Sequence, residues 1–181
     1  LMRAVTKYRG TLSWLPNFAY NFCAQKIRDR HLEGVDLSTW RVITNCSEPV
    51  RWESHQAFYE KFKSYGLKRE ALQTSYAMAE NVFSVTQSRL GSEPAVVEID
   101  REAFTSERVA KLVPDVNSHG HSVMKMMSSG RPLENVKVKV LDESRNELPD
   151  LVVGEVALQS NCMLTGYYNR NDLTENAFAD G

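Results

Sequence analysis

The stretch SYAMAENVFSVTQS, residues 75–88, decides how the chain reads. Tyr76 stands four residues before Glu80 among small residues, and a strand-like apolar run with Val82, Phe83 and Val85 follows. A carboxylate beside such a run is a poor way to build a core, because an unpaired buried charge is costly. It is a sensible way to hold a hard cation at the end of a strand, since magnesium and calcium prefer oxygen ligands. Taken alone, the pair also reads as a strand-capping aromatic beside a solvated acid. The flanking sequence has to decide.

Upstream, the pattern alternates strand and helix. LMRAVTKYRG reads as a helix running into a turn, and residues 11–15 as a short strand that turns at Pro16 and Asn17. A helix follows, with Phe18 and Phe22, extended to Ile27, on one face. A turn at Asp36 or Ser38 leads to a strand over 40–44, with Pro49 beyond it. VRWESHQAFYEKFKSYGL then places Trp52, Phe58, Phe62 and Tyr65 at helical spacing and stops at Gly66. Strand, helix, strand, helix in this order predicts βαβ crossovers and a largely parallel sheet. Ligands of such sheets sit at the carboxyl ends of the strands. Residues 45–49 and 75–80 both fall at such ends.

The second half changes character. EPAVVEIDREAF and the run from Val123 to Ser160 alternate apolar and polar residues between turn residues, which predicts antiparallel β-structure, a small sheet or partly open barrel. The change falls near residues 90–93, giving an α/β part over 1–90 and an antiparallel part over 91–181. TSERVAKLVPDVNSHGHS between the strands reads as an inserted surface segment.

Composition narrows the function classes. With 181 residues, 42% hydrophobic and 25% charged, the chain can bury a core of ordinary size. A formal net charge of −1 supplies no basic stripe, which argues against a nucleic-acid or membrane-surface partner. No apolar run is long enough to predict a membrane-spanning segment. Cys23, Cys46 and Cys162 are odd in number and far apart, which argues against a disulfide scaffold or a zinc site and for a reducing cytoplasm. His31, His55, His119 and His121 read as surface or loop residues; His119 and His121 form a loop pair without a third metal ligand. Met124, Met126 and Met127 read as sheet packing, Arg131 as a turn residue, and Tyr167 and Tyr168 as packing at the end of the antiparallel part.

Four segments in fixed order then carry a resemblance: NCSEPV, SYAMAE, SSGRPLENVKVKVLD and GEVALQSNCMLTGYYNRNDLTENAFADG. Together, over most of the chain, they resemble the adenylate-forming superfamily of acyl-CoA synthetases, luciferases and peptide-synthetase adenylation domains. Each motif alone is weak; the ordered set is specific. LPNFAY after a strand, SEPV in the first turn, AE closing the tyrosine motif and the extra segment over 88–130 are most similar to fatty acyl-AMP ligases. The extra segment looks like the insertion that sets those ligases apart, and is equally readable as a long surface loop.

The resemblance implies the chemistry. A fatty acid carboxylate attacks the α-phosphate of ATP, so the site needs a divalent cation and fixed donors where charge develops. Glu80 is implied as the magnesium ligand. Tyr76 is implied to lie against the adenine, with Ser75 and the turn Asn45, Cys46, Ser47, Glu48 and Pro49 walling the nucleotide. Ala77, Met78 and Ala79 complete that nucleotide-facing motif, with Ala79 lacking the hydroxyl that a threonine supplies in many relatives. Asn17, Phe18 and Ala19 are implied to line part of an acyl tunnel, against core packing for Phe18. The acyl acceptor is an acyl carrier protein or coenzyme A.

On this reading the chain is a piece of a longer polypeptide. The family's phosphate loop belongs upstream of Leu1, and the ribose-holding aspartate and the C-terminal lysine downstream of Gly181, so the piece alone does not catalyse. Ala77 and Cys46 stand where the family usually has glycine. A side chain there is cheap if φ is negative and strained if φ is positive. The alternatives are therefore an acyl-CoA synthetase, or a binding module of the same fold without catalysis.

Overall fold

In the computed structural model, residues 1–113 and 122–178 are described. His119 and His121 lie outside them. Helix α1 (Met2–Tyr8) precedes strand β1 (Leu12–Leu15), helix α2 (Asn17–Lys26), strand β2 (Val42–Asn45), helix α3 (Trp52–Phe62) and strand β3 (Leu72–Ala77). Strands β1, β2 and β3 pair in parallel, with Ile43 opposite Ser13 and Leu72. The alternation of elements therefore builds the crossover sheet that its pattern predicts.

The core is aromatic and lies between this sheet and its helices. Tyr20, Trp40, Phe58 and Phe62 are buried together with Leu32, Leu37, Ile43 and Leu72. Each such side chain contributes roughly 1.5–3 kcal/mol by leaving water. Phe58 touches Tyr20, Trp40 and Phe62 at centroid distances of 4.9, 6.3 and 4.7 Å. Trp40 lies ahead of β2 rather than in it, and its indole N–H donates to Ser13 Oγ at 3.0 Å. Helix α3 ends through a short 3-10 turn at Gly66, whose φ of 87° supplies the left-handed stop.

Helix α2 is rotated from the expected face. Asn17, Tyr20 and Cys23 point inward, whereas Phe18 and Phe22 are 63% and 58% exposed. Tyr20 decides the rotation: its hydroxyl donates to the Ile43 carbonyl at 2.9 Å, and its ring is sealed between His55 and Phe58. A buried tyrosine that satisfies its hydroxyl keeps both its area and its polar tip. His55, expected at the surface, is buried on α3 against this ring.

Strand β4 (Ser84–Gln87) runs antiparallel to β3, and β7 (Arg131–Pro132) runs antiparallel to β4, closing a five-stranded sheet in the order β1-β2-β3-β4-β7. Antiparallel pairing thus begins at β4, ahead of residues 90–93, and the second half returns one strand to the first sheet. The Gly-Arg-Pro turn explains itself here. Gly130 has φ 96°, and a Cβ on it would lie 2.0 Å from the Gln87 carbonyl carbon.

The remaining strands form two separate ribbons, not one small sheet or barrel. Strand β5 (Val96–Asp100) pairs with β6 (Val123–Met127), and β8 (Lys137–Leu141) with β9 (Glu155–Gln159), all antiparallel. Alternation fixes which face of a strand is apolar but says nothing about its partner. Between β5 and β6, Asp100 accepts the amide of Ala103 at 2.9 Å and opens a π-helical turn at Ala103–Glu107. Lys125 of β6 lies over the Trp52 ring of α3 at 3.7 Å, docking that ribbon on the first half. Helix α4 (Asn171–Ala177) follows β9. Among the described residues, no helix is long and apolar enough to cross a membrane.

Candidate functional site

The carboxyl ends of β2 and β3 are adjacent, with Asn45 opposite Thr74. The turn after β2 and the end of β3 therefore meet at one edge of the sheet. Asn45 is buried, and its amide donates to Asn17 Oδ1 at 3.1 Å. The same Asn17 oxygen accepts the Arg51 amide at 3.0 Å, so Asn17 ties the start of α2 to both ends of the 46–49 turn. Asn45 Oδ1 is buried and has no donor among the described residues.

Within the turn, Cys46 is buried and Ser47, Glu48 and Pro49 are exposed. Ser47 takes the left-handed conformation, φ 73°, while Cys46 keeps a negative φ. Ala77 also keeps a negative φ. Neither residue standing where glycine is usual is strained. Glu48 turns its carboxylate onto α2, where Oε1 accepts the Phe18 amide at 2.5 Å. A negative charge there satisfies an orphan donor and suits the positive end of the helix. Phe18 itself faces outward, and Ala19 is half-buried beside it.

At the end of β3, Ser75 is buried and donates to the Thr86 carbonyl at 2.7 Å. The Tyr76 amide donates to Thr86 Oγ1 at 3.1 Å, and the register with β4 slips between Tyr76 and Ala77. Such a bulge re-aims the residues beyond it. The Tyr76 ring projects outward, 38% exposed. The Met78 amide donates to the Phe83 carbonyl at 2.8 Å, closing a loop that carries Ala79 and Glu80 at its tip.

That loop is held open at a cost. Val82 has φ 64° and ψ −45°, and the Phe83 amide donates to the Asn81 carbonyl at 2.7 Å, a γ-turn with a positive central φ. A β-branched residue in that region carries strain of order 1–3 kcal/mol. Val82 and Phe83 are exposed, so only Val85 of the apolar run enters the interior. Phe83 meets Trp14 edge-on, with centroids 6.5 Å apart.

Glu80 is half-buried and fixed from the far end of the chain. Its Oε1 accepts the Tyr167 hydroxyl at 2.8 Å, and its carbonyl accepts the Leu164 amide at 2.8 Å. Next to it, Asn81 accepts from the Ser160 hydroxyl and donates to the Ser84 carbonyl at 2.9 Å. The Tyr167 bond, followed by the carboxylate's own amide, holds the Glu80 carboxyl below the usual carboxylate range. The same bond pushes the Tyr167 phenol up. Just beyond the strand end, the geometry therefore presents a carboxylate held in its ionised form by a neutral donor. Among the described residues no group of three or more His, Cys, Asp or Glu side chains gathers to hold a metal. Tyr167, expected as packing, is the partner that sequence reading missed; the Gly-Tyr…Thr pattern was visible, but its contact partner was not.

A family model described as AMP-binding enzyme matches residues 1–168. The chain belongs to the AMP-binding enzyme family. It is 31% identical over 98% of its length to the medium-chain-fatty-acid–acyl-carrier-protein ligase JamA of Moorena producens, covering 30% of that protein. It also matches the crystal structure of a fatty acid AMP ligase from Legionella pneumophila at 37% identity and a TM-score of 0.90, over 98% of this chain and 30% of that one. A fatty acyl-adenylate ligase of L. pneumophila, solved with acyl adenylate and pyrophosphate, matches at 35% identity and a TM-score of 0.89, again over 98% and 30%. The chain thus spans about 30% of the length of these relatives.

Proposed function

We propose that this chain forms part of the large domain of an acyl-adenylating ligase. The ligase activates a fatty acid with ATP and passes the acyl group to a carrier protein. A fatty acid carboxylate oxygen forms a bond to the α-phosphorus while the bond to the β-phosphate oxygen breaks, releasing pyrophosphate. The carrier thiol then attacks the acyl carbonyl, and AMP leaves. The observation that carries this reading is the ionised Glu80 carboxylate at the carboxyl end of the parallel sheet, pinned by Tyr167.

Magnesium fits the donor set. One carboxylate alone does not cage a metal, but magnesium usually takes one or two carboxylates and completes its shell with waters and substrate phosphates. Glu80 would hold it, and the ion would supply charge to the phosphoryl oxygens during transfer. Tyr76, exposed beside Glu80, offers its ring face to the adenine. Ser75, Ala77, Met78 and Ala79 shape the backbone under it, and the turn from Asn45 through Cys46, Ser47, Glu48 and Pro49 forms the second wall. The outward Phe18 and Phe22, with Asn17 and Ala19 at the same helix end, suit an apolar acyl chain. On this reading the nucleotide-facing turns belong to residues 1–90, and residues 91–129 correspond in sequence to the ligase-specific insertion.

The name of JamA favours a carrier protein as acceptor over coenzyme A. The negative φ of Ala77 and Cys46 means that neither side chain strains the backbone, which supports an active ligase over a non-catalytic module. The ATP chemistry and the three free thiols suit the cytoplasm. The test is hydroxylamine trapping with ATP and a fatty acid. The full-length protein should yield hydroxamate and pyrophosphate, with transfer to carrier-protein thiol exceeding transfer to coenzyme A. The 181-residue chain alone should yield neither product, since it spans about 30% of the ligases it matches. A full-length protein that releases no pyrophosphate contradicts the proposal.

A further inference from the structure

We infer that Thr86 is a positioning residue for Tyr76: its hydroxyl ties the Tyr76 backbone to the turn at residues 128–130 and so aims the ring at the adenine. The inference rests on the reading of Tyr76 as the adenine-facing ring and concerns what holds it there. Thr86 Oγ1 accepts the Tyr76 amide at 3.1 Å and donates to the Ser129 carbonyl at 2.6 Å. A threonine hydroxyl has one proton and two lone pairs. With the proton committed to Ser129, a lone pair faces the Tyr76 amide, and each bond polarises the other favourably. Thr86 is buried, so an amide deprived of this oxygen has no ready exchange with water.

The acceptor is itself fixed. The carbonyl of Ser128, one residue earlier, takes the Thr74 hydroxyl at 2.7 Å. Gly130, one residue later, lies so close to β4 that a Cβ on it would stand 2.2 Å from the Ser88 amide nitrogen. The turn is thus seated on β3 and β4 on both sides of Ser129. At its other end the hydroxyl meets Tyr76 where the register with β4 slips. A bulge leaves the aim of its side chains to local contacts rather than to a regular ladder. Thr86 supplies a second such contact one residue back, since its carbonyl accepts the Ser75 hydroxyl at 2.7 Å. The Tyr76 ring is part-exposed, so packing alone does not set its direction.

The experiment follows pyrophosphate release in the full-length protein as ATP and fatty acid are varied, with AMP affinity measured by calorimetry. Thr86→Val keeps the shape and removes the hydroxyl. It should raise the KM for ATP about 3- to 10-fold, the loss of one hydrogen bond, with kcat and the KM for fatty acid little changed. AMP, which carries the adenine without the departing phosphates, should lose affinity by the same factor. Thr86→Ser should restore both values, and Thr86→Cys, whose thiol is a weaker partner, should fall between. Because Thr86 acts through Tyr76, Thr86→Val combined with Tyr76→Ala should bind ATP no worse than Tyr76→Ala alone. Additive losses overturn the inference. So does a lowered melting temperature with the KM for ATP unchanged, the signature of a contact that serves only the fold. Tyr76→Ala separates the layers. If it raises the KM for ATP while Thr86→Val does not, only the inference falls. If Tyr76→Ala keeps the wild-type KM, the reading of Tyr76 falls and takes the inference with it.

Discussion

His55 lies flat on Tyr20, with ring centroids 4.9 Å apart and planes within 6°. Its Nε2 is buried without a partner among the described residues, and burial lowers its pKa from 6.5 to about 4. The folded state therefore holds His55 neutral where the unfolded chain has taken up a proton. Stability from this group is complete above about pH 6.5 and is lost as pH falls towards 4, in all about 3 kcal/mol. Urea midpoints should fall between pH 7 and pH 4.5, and His55→Phe, which keeps the stack, should flatten that dependence. Equal slopes in both proteins would contradict the assignment.

Glu48 is expected to act on stability through α2. Removing its carboxylate leaves the Phe18 amide without an acceptor at the helix N-terminus. Glu48→Ala should cost about 1 kcal/mol in denaturant unfolding, as for other lost caps, and Glu48→Gln less. An unchanged midpoint would mean that the carboxylate is not seated there.

Two glycines should behave differently although both have positive φ. A Cβ at Gly130 collides with the β4 backbone, whereas at Gly91 nothing lies within 4 Å. Gly91→Ala should cost about 1 kcal/mol from backbone strain alone. Gly130→Ala should exceed that several-fold by prising β7 from β4, seen as faster amide exchange at Leu133, which bonds to the Val85 carbonyl at 3.0 Å. Similar costs for the two would show that the close approach is unimportant.

Tyr76 should separate nucleotide binding from stability. Its ring is part-exposed and contributes little to the core, so Tyr76→Ala should leave the melting temperature nearly unchanged. In the full-length protein it should raise the KM for ATP with kcat little affected, since it removes a stacking surface and not a charge. A lowered melting temperature with unchanged KM would return the tyrosine to a structural role.

What could be read in the sequence was local. Periodicity and turn residues specify the order β1, α2, β2, α3, β3 and the stop at Gly66, because each depends on neighbours within a few residues. The rotation of α2 was not legible. Phe18 and Phe22 are more apolar than Tyr20, but Tyr20 alone finds a carbonyl, Ile43, and two flanking rings. His55 was misplaced for the same reason: its burial depends on Tyr20, which lies 35 positions earlier in the sequence. The pairing of β7 with β4 and the bond from Tyr167 to Glu80 are long-range facts that alternation does not encode. That Glu80 stays out of the interior was legible, because a carboxylate against an apolar run is costly there; the structure seats it in the turn just beyond β3.

The central claim is that Glu80 holds magnesium on the phosphates of ATP. Glu80→Gln in the full-length protein is the most direct test, because glutamine keeps the size and can still accept from the Tyr167 hydroxyl. It replaces a charged oxygen by a neutral one where charge develops. Adenylation, followed as pyrophosphate release, should fall about 10²–10³-fold, comparable to losing a donor that stabilises a developing oxyanion, while the melting temperature stays close to wild type. Wild-type turnover in Glu80→Gln would contradict the account.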